Sequence, residues 1–113
     1  MVFNVLATNY DDHTKNFSFR LKKGEAWELA PAYDLCFSYD LSNIWVNQHT
    51  LSINGKHKDI SKADLMTIAK ANSIKKGEAI IEHIGKVVND WGVYAEKAKV
   101  EKRLAEEIGR VLV

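Results

Sequence analysis

The chain has 113 residues, enough for one small domain with a modest hydrophobic core. Sixteen basic and fifteen acidic side chains give a formal net charge of +1, which argues against the strongly basic surface of an independent nucleic-acid-binding protein. Cys36 is the single cysteine, so no internal disulfide can form. Neither a signal peptide nor a long apolar run occurs in the sequence, and we therefore expect a cytoplasmic protein without a membrane span.

The chain begins with an apolar stretch that leads into a polar loop. Residues 1–8 are too apolar for a free terminus, and we predict that they form the last turns of a buried helix. The loop that follows, residues 9–17, reads NYDDHTKNF and contains Asp11 and Asn16 five positions apart. Asp12 would be one position short of that spacing, and we expect it to matter little.

An antiparallel hairpin is predicted after the loop. Apolar residues alternate with polar ones in the period-two pattern of a half-buried strand: Phe17, Phe19 and Leu21. Lys23-Gly24 supplies the turn, and residues 26–29 continue as the partner strand. Such a hairpin would return the chain to the loop, so Asp34 would come within reach of the two loop residues.

The order Asp, Asn, Asp has a chemical meaning in phosphoryl transfer. In a protein-kinase catalytic loop an aspartate orients the attacking hydroxyl and accepts its proton, and an asparagine five positions later ligates Mg²⁺. A second metal-binding aspartate lies beyond a strand or hairpin. Asp11, Asn16 and Asp34 occur in this order, and their oxygen atoms suit Mg²⁺ and phosphate. Such spacing also arises by chance, and Asp and Asn are common in turns and caps for local reasons.

A transition-metal site is the alternative for the same loop. His13 lies next to Asp12 and two residues from Asp11, and the three side chains together could bind such a metal. Further ligands would be needed, however, and neither His49 nor His57 has a spacing that supplies them.

The middle of the chain is predicted to be irregular. Residues 36–48 mix aromatic and aliphatic side chains with polar ones without a clear period, which indicates a loop with short structured pieces. Residues 50–55, TLSING, indicate a strand that enters an Asn-Gly turn. The basic residues that follow are interpreted as a solvated turn, with contact to a phosphate or an acidic substrate segment as the alternative: Lys56, His57 and Lys58.

A helix is predicted at the start of the last third of the chain. Ser61, with Asp64 three positions later, resembles a capping box, although Glu or Gln is the usual partner. The apolar positions that follow predict a helix that ends near Asn72 or Ser73.

More helix is predicted up to the end of the chain. Residues 74–91 form a sustained amphipathic pattern, and Gly92 is placed to end that helix. Residues 94–113 predict two further helical pieces with a break near Lys99-Val100. The predicted fold class is therefore α+β, mainly helical, with one or two small hairpins followed by a helical bundle.

The amino-acid identities in the loop and hairpin are more specific than the spacing. The strings NYDDHTKNFSF and WELAPAYDL resemble the carboxy-terminal lobe of HipA-like serine/threonine kinases, the toxins of bacterial toxin–antitoxin pairs. The resemblance continues through LSINGK, residues 51–56, into the helical tail. It implies these roles: Asp11 as the catalytic base, Asn16 and Asp34 as Mg²⁺ ligands, and His13 and Lys15 as characteristic loop residues that bind the ATP cofactor.

The resemblance also implies a function and partners. The complete enzyme would transfer the γ-phosphoryl group of ATP to a Ser or Thr hydroxyl of a protein, with aminoacyl-tRNA synthetases as known targets in the family. A helix-turn-helix antitoxin would be the partner, and DNA would be reached only through it. The chain would be one domain, residues 1–113, with a catalytic loop and metal-binding hairpin (9–35), an irregular segment and hairpin (36–60) and a helical part (61–113).

Parts of a complete kinase are not found in this sequence. It contains no G-x-G-x-x-G loop to cover the phosphates of ATP and no P-loop. We therefore expect the carboxy-terminal portion of a larger kinase, inactive alone. Residues 1–6 and 37–46 should expose apolar surface, which leads either to self-association, with a homodimer as the simplest case, or to marginal stability. The alternative is a catalytically silent remnant that binds an antitoxin-like or kinase-like partner through its helices.

Overall fold

Five helices and one two-stranded antiparallel sheet are present in residues 1–112, the part of the chain that the computed structural model describes. The elements in chain order are α1 (Val2–Leu6), a 3-10 turn (Thr14–Asn16), β1 (Phe19–Arg20), β2 (Glu28–Leu29), α2 (Lys62–Ala71), α3 (Gly77–Asn89), α4 (Trp91–Lys97) and α5 (Lys102–Leu112). The fold is α+β and mainly helical, as predicted. No helix in this part of the chain is long and apolar enough to cross a membrane.

The hydrophobic core lies where α1, α2 and α3 meet. Leu65 of α2 and Ile81 of α3 are buried there together with Ile53, which precedes the Asn-Gly turn. Partly buried apolar residues surround these three: Val2, Val5, Leu6, Ile60, Met66 and Ile68. Burial of a side chain such as Leu65 typically contributes about 1.5–3 kcal/mol, so these contacts hold the three helices together.

Asp64 joins the Asn-Gly turn to the start of α2. The predicted capping box is present: Ser61 Oγ accepts a hydrogen bond from the Asp64 N–H at 3.3 Å, and Asp64 Oδ2 accepts one from the Ser61 N–H at 2.8 Å. The same carboxylate accepts hydrogen bonds from Asn54 Nδ2 at 2.8 Å and Lys56 Nζ at 2.9 Å. Asn54 and Gly55 both have positive φ, 53° and 76°, as a type I′ turn requires. The predicted turn is confirmed, although its strand is reduced to a single bridge.

Acid should weaken this junction through Asp64. Hydrogen bonds from Asn54, Ser61 and Lys56 hold the pKa of Asp64 well below its usual value of 3.8 in the folded chain. At pH values above its usual pKa, a carboxyl group of this kind stabilises the fold. The stabilisation is lost as the pH falls below that pKa, because the unfolded chain takes up the proton first. We expect the free energy of unfolding, measured with urea, to fall more steeply below about pH 4 in the wild type than in Asp64→Asn.

The control for this acid effect is Asp90→Asn, which changes an exposed carboxylate between α3 and α4. This variant should follow the wild type at every pH. An Asp64→Asn variant with the same acid dependence as the wild type would contradict the role given to Asp64.

The hairpin forms as an antiparallel pair but lies at the surface. Phe19 of β1 is opposite Leu29 of β2, Arg20 is opposite Glu28, and Gly24 occupies the turn with a φ of 81°. The prediction of a half-buried strand is wrong, because Phe19 is 66% exposed and Leu29 is 60% exposed. Alternation indicates which side chains share a face, but it does not say whether another element covers that face.

Helices α3 and α4 meet at Asp90. The predicted helix end at Gly92 is wrong, since α3 ends at Asn89 and Gly92 lies within α4. The carbonyl oxygen of Asp90 accepts hydrogen bonds from the N–H groups three and four residues later, at 3.0 and 3.3 Å, and this restarts the helix. The predicted break near Lys99 is confirmed, because Lys99 has a φ of 55° between α4 and α5. Val113, at the end of the last predicted stretch, lies outside the described residues.

Helices α2 and α3 approach each other closely at Gly77, where α3 begins three residues later than predicted. A Cβ atom at Gly77 would lie 2.6 Å from the Cβ atom of Ala69, closer than packed side chains allow.

We expect Gly77→Ala to lower the free energy of unfolding by about 1–3 kcal/mol, the usual cost of overpacking. Gly85→Ala is the matched control, because a Cβ there meets nothing within 4 Å. It should raise stability by up to about 1 kcal/mol. Urea unfolding checks both, and a neutral Gly77→Ala would show that the helices separate without cost.

Candidate active site

Asn9 joins helix α1 to the two acidic segments of the predicted site. Thr8 has a positive φ of 53°, so the chain turns after α1 and the Asn9 N–H donates to the Asn4 carbonyl oxygen at 2.8 Å. The Asn9 side chain is 1% exposed, and its Nδ2 donates to Asn4 Oδ1 at 3.3 Å and to the Asp34 carbonyl oxygen at 3.1 Å. Its Oδ1 accepts a hydrogen bond from Cys36 Sγ at 3.6 Å. Sequence reasoning did not identify Asn9, because Asp34 lies 25 residues away.

Asp11 and Asn16 are brought together within one tight loop. Asn16 Nδ2 donates to the backbone carbonyl oxygen of Asp11 at 3.1 Å, and the 3-10 turn Thr14–Asn16 shortens the path between the two residues. Because the amide nitrogen of Asn16 makes this bond, Oδ1 is the atom left for a metal ion. The Asp11 carboxylate takes no part in the bond, and the Asp11 side chain is 49% exposed. The loop therefore carries an accessible carboxylate at Asp11 and an amide oxygen at Asn16 that this bond leaves free.

His13 and Lys15 lie between those two residues. His13 Nε2 is 3.9 Å from Asp11 Oδ1, close enough for an ion pair when the imidazole is protonated. His13 Nδ1 is buried and has no hydrogen-bond partner among the described residues. Lys15 is exposed, and its carbonyl oxygen accepts a hydrogen bond from Tyr33 Oη at 2.6 Å. Contact of His13 and Lys15 with ATP stays a prediction.

Two hydrogen bonds hold Asp34 near the loop, one from the side chain of Tyr33 and one to the carbonyl oxygen of Asp34 itself. Tyr33 Oη donates to the Lys15 carbonyl oxygen, and Asn9 Nδ2 donates to the Asp34 carbonyl oxygen. Asp34 itself is exposed and has a positive φ of 54°. Burial raises the pKa of the nearby Cys36 thiol, and the negative charges of Asp34 and Asp11 raise that pKa further. The hydrogen bonds from Tyr33 and Asn9 therefore place Asp34 beside the loop that carries Asp11.

The donor atoms of this site suit Mg²⁺ better than zinc. Within residues 1–112, no three His, Cys, Asp or Glu side chains are arranged to hold a metal ion by themselves. Asn16 and Asp34 offer one amide oxygen and one carboxylate, and the remaining ligands would be water and phosphate oxygens, as is usual for Mg²⁺. The zinc alternative needs Asp12 beside His13, but Asp12 is directed to His49 instead.

Asp12 has a structural role that the sequence did not indicate. Its Oδ1 accepts hydrogen bonds from the N–H groups of Thr50 at 2.8 Å and Leu51 at 3.1 Å, and its Oδ2 lies 3.0 Å from His49 Nδ1. Burial alone would raise the pKa of Asp12, but the hydrogen bonds from His49, Leu51 and Thr50 outweigh burial and hold that pKa below its usual value. The expectation that Asp12 matters little does not fit these contacts. No local pattern could reveal them, since 37 residues separate Asp12 from His49.

Comparison with known proteins identifies the family. The chain matches the family model of the HipA-like C-terminal domain over residues 1–91, from α1 to the first residue of α4. No curated protein and no solved structure matches the chain. The matched part is most of the chain and contains the core, the loop and Asp34, so the chain belongs to the family of HipA-like C-terminal domains. The family resemblance predicted from the loop and hairpin is confirmed.

Proposed function

We propose that this chain is the catalytic-loop part of a HipA-like serine/threonine protein kinase, which transfers the γ-phosphoryl group of ATP to a hydroxyl group of a protein. One observation carries the proposal. Asp11 and Asn16 have the spacing of a kinase catalytic loop, Asn16 Nδ2 donates a hydrogen bond to the Asp11 carbonyl oxygen, and the Asp11 carboxylate is left accessible. Membership of the HipA-like C-terminal domain family supports the proposal independently.

In this proposal Asp11 is the catalytic base. Its half-exposed carboxylate would accept a hydrogen bond from the substrate hydroxyl and take the proton as the hydroxyl oxygen attacks the γ-phosphorus. His13, with Nε2 3.9 Å from Asp11 Oδ1, would limit the orientations of that carboxylate. The base would then be oriented before the substrate arrives, which favours transfer.

Asn16 and Asp34 would hold Mg²⁺ through the amide Oδ1 and a carboxylate oxygen. When bound, Mg²⁺ neutralises charge on the phosphates of ATP. Lys15 is exposed in the same loop and would place a positive charge beside those phosphates. Its backbone is fixed by the bond from Tyr33 Oη, so the lysine side chain starts from a defined position.

The protein substrate and the regulator are proposed from the family resemblance. An aminoacyl-tRNA synthetase is the substrate class to test first, and a helix-turn-helix antitoxin is the proposed partner. DNA would be reached only through that antitoxin, since the formal net charge of the chain is +1. The proposed location of the reaction is the cytoplasm.

The kinase proposal is tested with a chimera. Residues 1–113 replace the corresponding lobe of an active HipA-like kinase, and transfer of labelled γ-phosphate to the protein substrate of that kinase is measured. We expect the chimera to transfer phosphate, and we expect this transfer to require Asp11. A folded chimera that binds nucleotide but transfers no phosphate would favour a catalytically silent domain.

That silent domain is the second candidate, and it would bind an antitoxin-like or kinase-like partner through its helices. An apolar groove of about 550 Å³ between α1, residues 35–37 and the α3–α5 region favours it. Trp91 lines the groove and donates its indole N–H to the Ala105 carbonyl oxygen at 2.9 Å. Helix α5 buries none of its described residues, and Leu104 in the groove is 46% exposed.

We expect the isolated chain to self-associate, as a homodimer in the simplest case, because such apolar surface usually finds a partner. Sedimentation velocity over a range of concentrations measures the association. Leu104→Lys places a charge in the groove and should shift the chain towards monomer. Leu41→Lys changes a leucine that is 66% exposed outside the groove, and it should have no such effect. A wild-type monomer at every concentration would contradict the expectation.

A further inference from the structure

Asp12 and the segment His49–Leu51 form a buried junction that the proposed mechanism does not use. The Asp12 carboxylate accepts hydrogen bonds from the Thr50 and Leu51 N–H groups, at 2.8 and 3.1 Å, and lies 3.0 Å from the His49 ring nitrogen. Asp12 is 2% exposed, whereas the side chain of Asp11, one residue earlier, is 49% exposed. The loop is therefore anchored on one side by Asp12, while Asp11 stays accessible on the other.

The segment that binds Asp12 is itself fixed. The His49 N–H donates to the His57 carbonyl oxygen at 3.0 Å, and His57 Nδ1 lies 2.9 Å from the His49 carbonyl oxygen. The N–H and hydroxyl groups of Thr50 also reach the Tyr10 carbonyl oxygen, at 3.1 and 3.2 Å. The Tyr10 ring packs on the His49 ring with their centroids 4.4 Å apart. The loop and the segment are thus joined at several points.

We propose that Asp12 is a positioning residue for the catalytic loop. By binding the segment His49–Leu51, it fixes the loop so that Asp11 points to solvent and Asn16 closes on the Asp11 carbonyl oxygen. The inference rests on the proposed function only in taking Asp11 as the base. Asp12 would contact neither ATP nor the substrate hydroxyl, because both of its carboxylate oxygens are engaged in the buried junction.

A carboxylate suits this position because hydrogen-bond donors converge on it. It offers only acceptors, so it satisfies two backbone N–H groups and a protonated Nδ1 of His49 together. Asparagine keeps one oxygen for the two N–H groups, and its NH₂ group can donate to His49 Nδ1 when that nitrogen carries no proton. Alanine leaves the Leu51 N–H and His49 Nδ1 without this partner and leaves the Thr50 N–H only its bond to the Tyr10 carbonyl oxygen, which costs far more. Asp12→Asn is therefore a conservative rescue of Asp12→Ala.

The first experiment is NMR on the ¹⁵N-labelled 113-residue chain, with Asp12→Ala and Asp12→Asn compared to the wild type. Asp40→Asn is the control, since Asp40 is an exposed carboxylate that bonds to Ser42 in its own turn. Amide exchange at Thr50 and Leu51 reports on the junction. Amide exchange of buried residues in α2 and α3 reports on global stability, and the side-chain NH₂ signals of Asn16 report on the closure of the loop.

In Asp12→Ala we expect exchange at Thr50 and Leu51 to become about tenfold or more faster relative to the core amides. The Asn16 NH₂ signals should move to the positions of a free amide. Asp12→Asn should show a smaller acceleration, by about threefold, because the charge is lost and the oxygen is kept. That variant alone decides the question if Asp12→Ala does not fold. Asp40→Asn should match the wild type.

Two results would overturn the proposal. One is exchange that rises equally at the junction and in the core while the Asn16 signals stay in place, which would make Asp12 an ordinary structural residue. The other is Asp12→Asn with the exchange pattern and Asn16 signals of the wild type.

The chimeric kinase separates this proposal from the kinase proposal. A folded chimera that binds nucleotide but transfers no phosphate would overturn the proposed function, while a local NMR effect would still support the positioning of the loop by Asp12. In an active chimera, Asp12→Ala should lower kcat with little change in the KM for ATP, and Asp12→Asn should restore part of kcat. Unchanged kcat in Asp12→Ala would overturn the positioning role.

Discussion

Asp11→Asn in the chimeric kinase should lower the rate of phosphoryl transfer by about 10²–10⁴-fold, while the affinity for ATP stays nearly unchanged. The substitution keeps the shape of the side chain but removes the carboxylate that would orient the hydroxyl and accept its proton. Asn16 Nδ2 bonds to the backbone carbonyl oxygen of Asp11 and not to its carboxylate, so the loop should keep its shape. The variant therefore changes the chemistry and leaves the scaffold in place.

Asp34→Asn should have a different effect. If Asp34 holds Mg²⁺ on the phosphates, loss of its charge weakens metal-dependent nucleotide binding as well as turnover. Asn16→Ala should weaken nucleotide binding less, because it deletes a neutral ligand. It also removes the bond to the Asp11 carbonyl oxygen, so turnover in this variant should fall more than nucleotide affinity.

Nucleotide titration and single-turnover phosphorylation on the same variants separate these roles. Asp40→Asn, an exposed carboxylate outside the loop, is the control and should behave as the wild type. An Asp11 variant that loses nucleotide affinity while the Asp34 variant keeps it would reverse the assignment. An Asp11 variant with full turnover would show that another group is the base.

The features that could be predicted from the sequence are those that nearby residues determine. The capping box of Ser61 and Asp64 spans three positions, and the Asn54-Gly55 turn needs only two residues with positive φ. The approach of Asn16 to Asp11 lies within one loop. In each of these cases the residues that determine the feature lie within five positions of one another, so the local sequence is sufficient.

The features that could not be predicted depend on residues far apart in the sequence. Asp12 reaches His49 across 37 residues and Asn9 reaches Asp34 across 25, and such contacts leave no periodic pattern. The exposure of Phe19 has the same origin, because tertiary contacts decide whether a face of a strand is covered. The sequence therefore predicted the candidate residues of the site, but not the buried side chains that support them.

The 113-residue chain alone should show no measurable kinase activity with ATP and Mg²⁺. Phosphoryl transfer depends almost wholly on the positioning of the phosphates and on stabilisation of their charge. The chain offers Asp11 as the base and Asn16 and Asp34 as metal ligands, but its sequence contains no G-x-G-x-x-G loop to cover the phosphates. Incubation of the purified chain, free of host kinases, with labelled ATP and Mg²⁺ measures the activity, and Asp11→Asn is the matched blank. Metal-dependent labelling of the wild type that Asp11→Asn abolishes would contradict the prediction, because it would mean that these residues alone build a complete phosphoryl-transfer site.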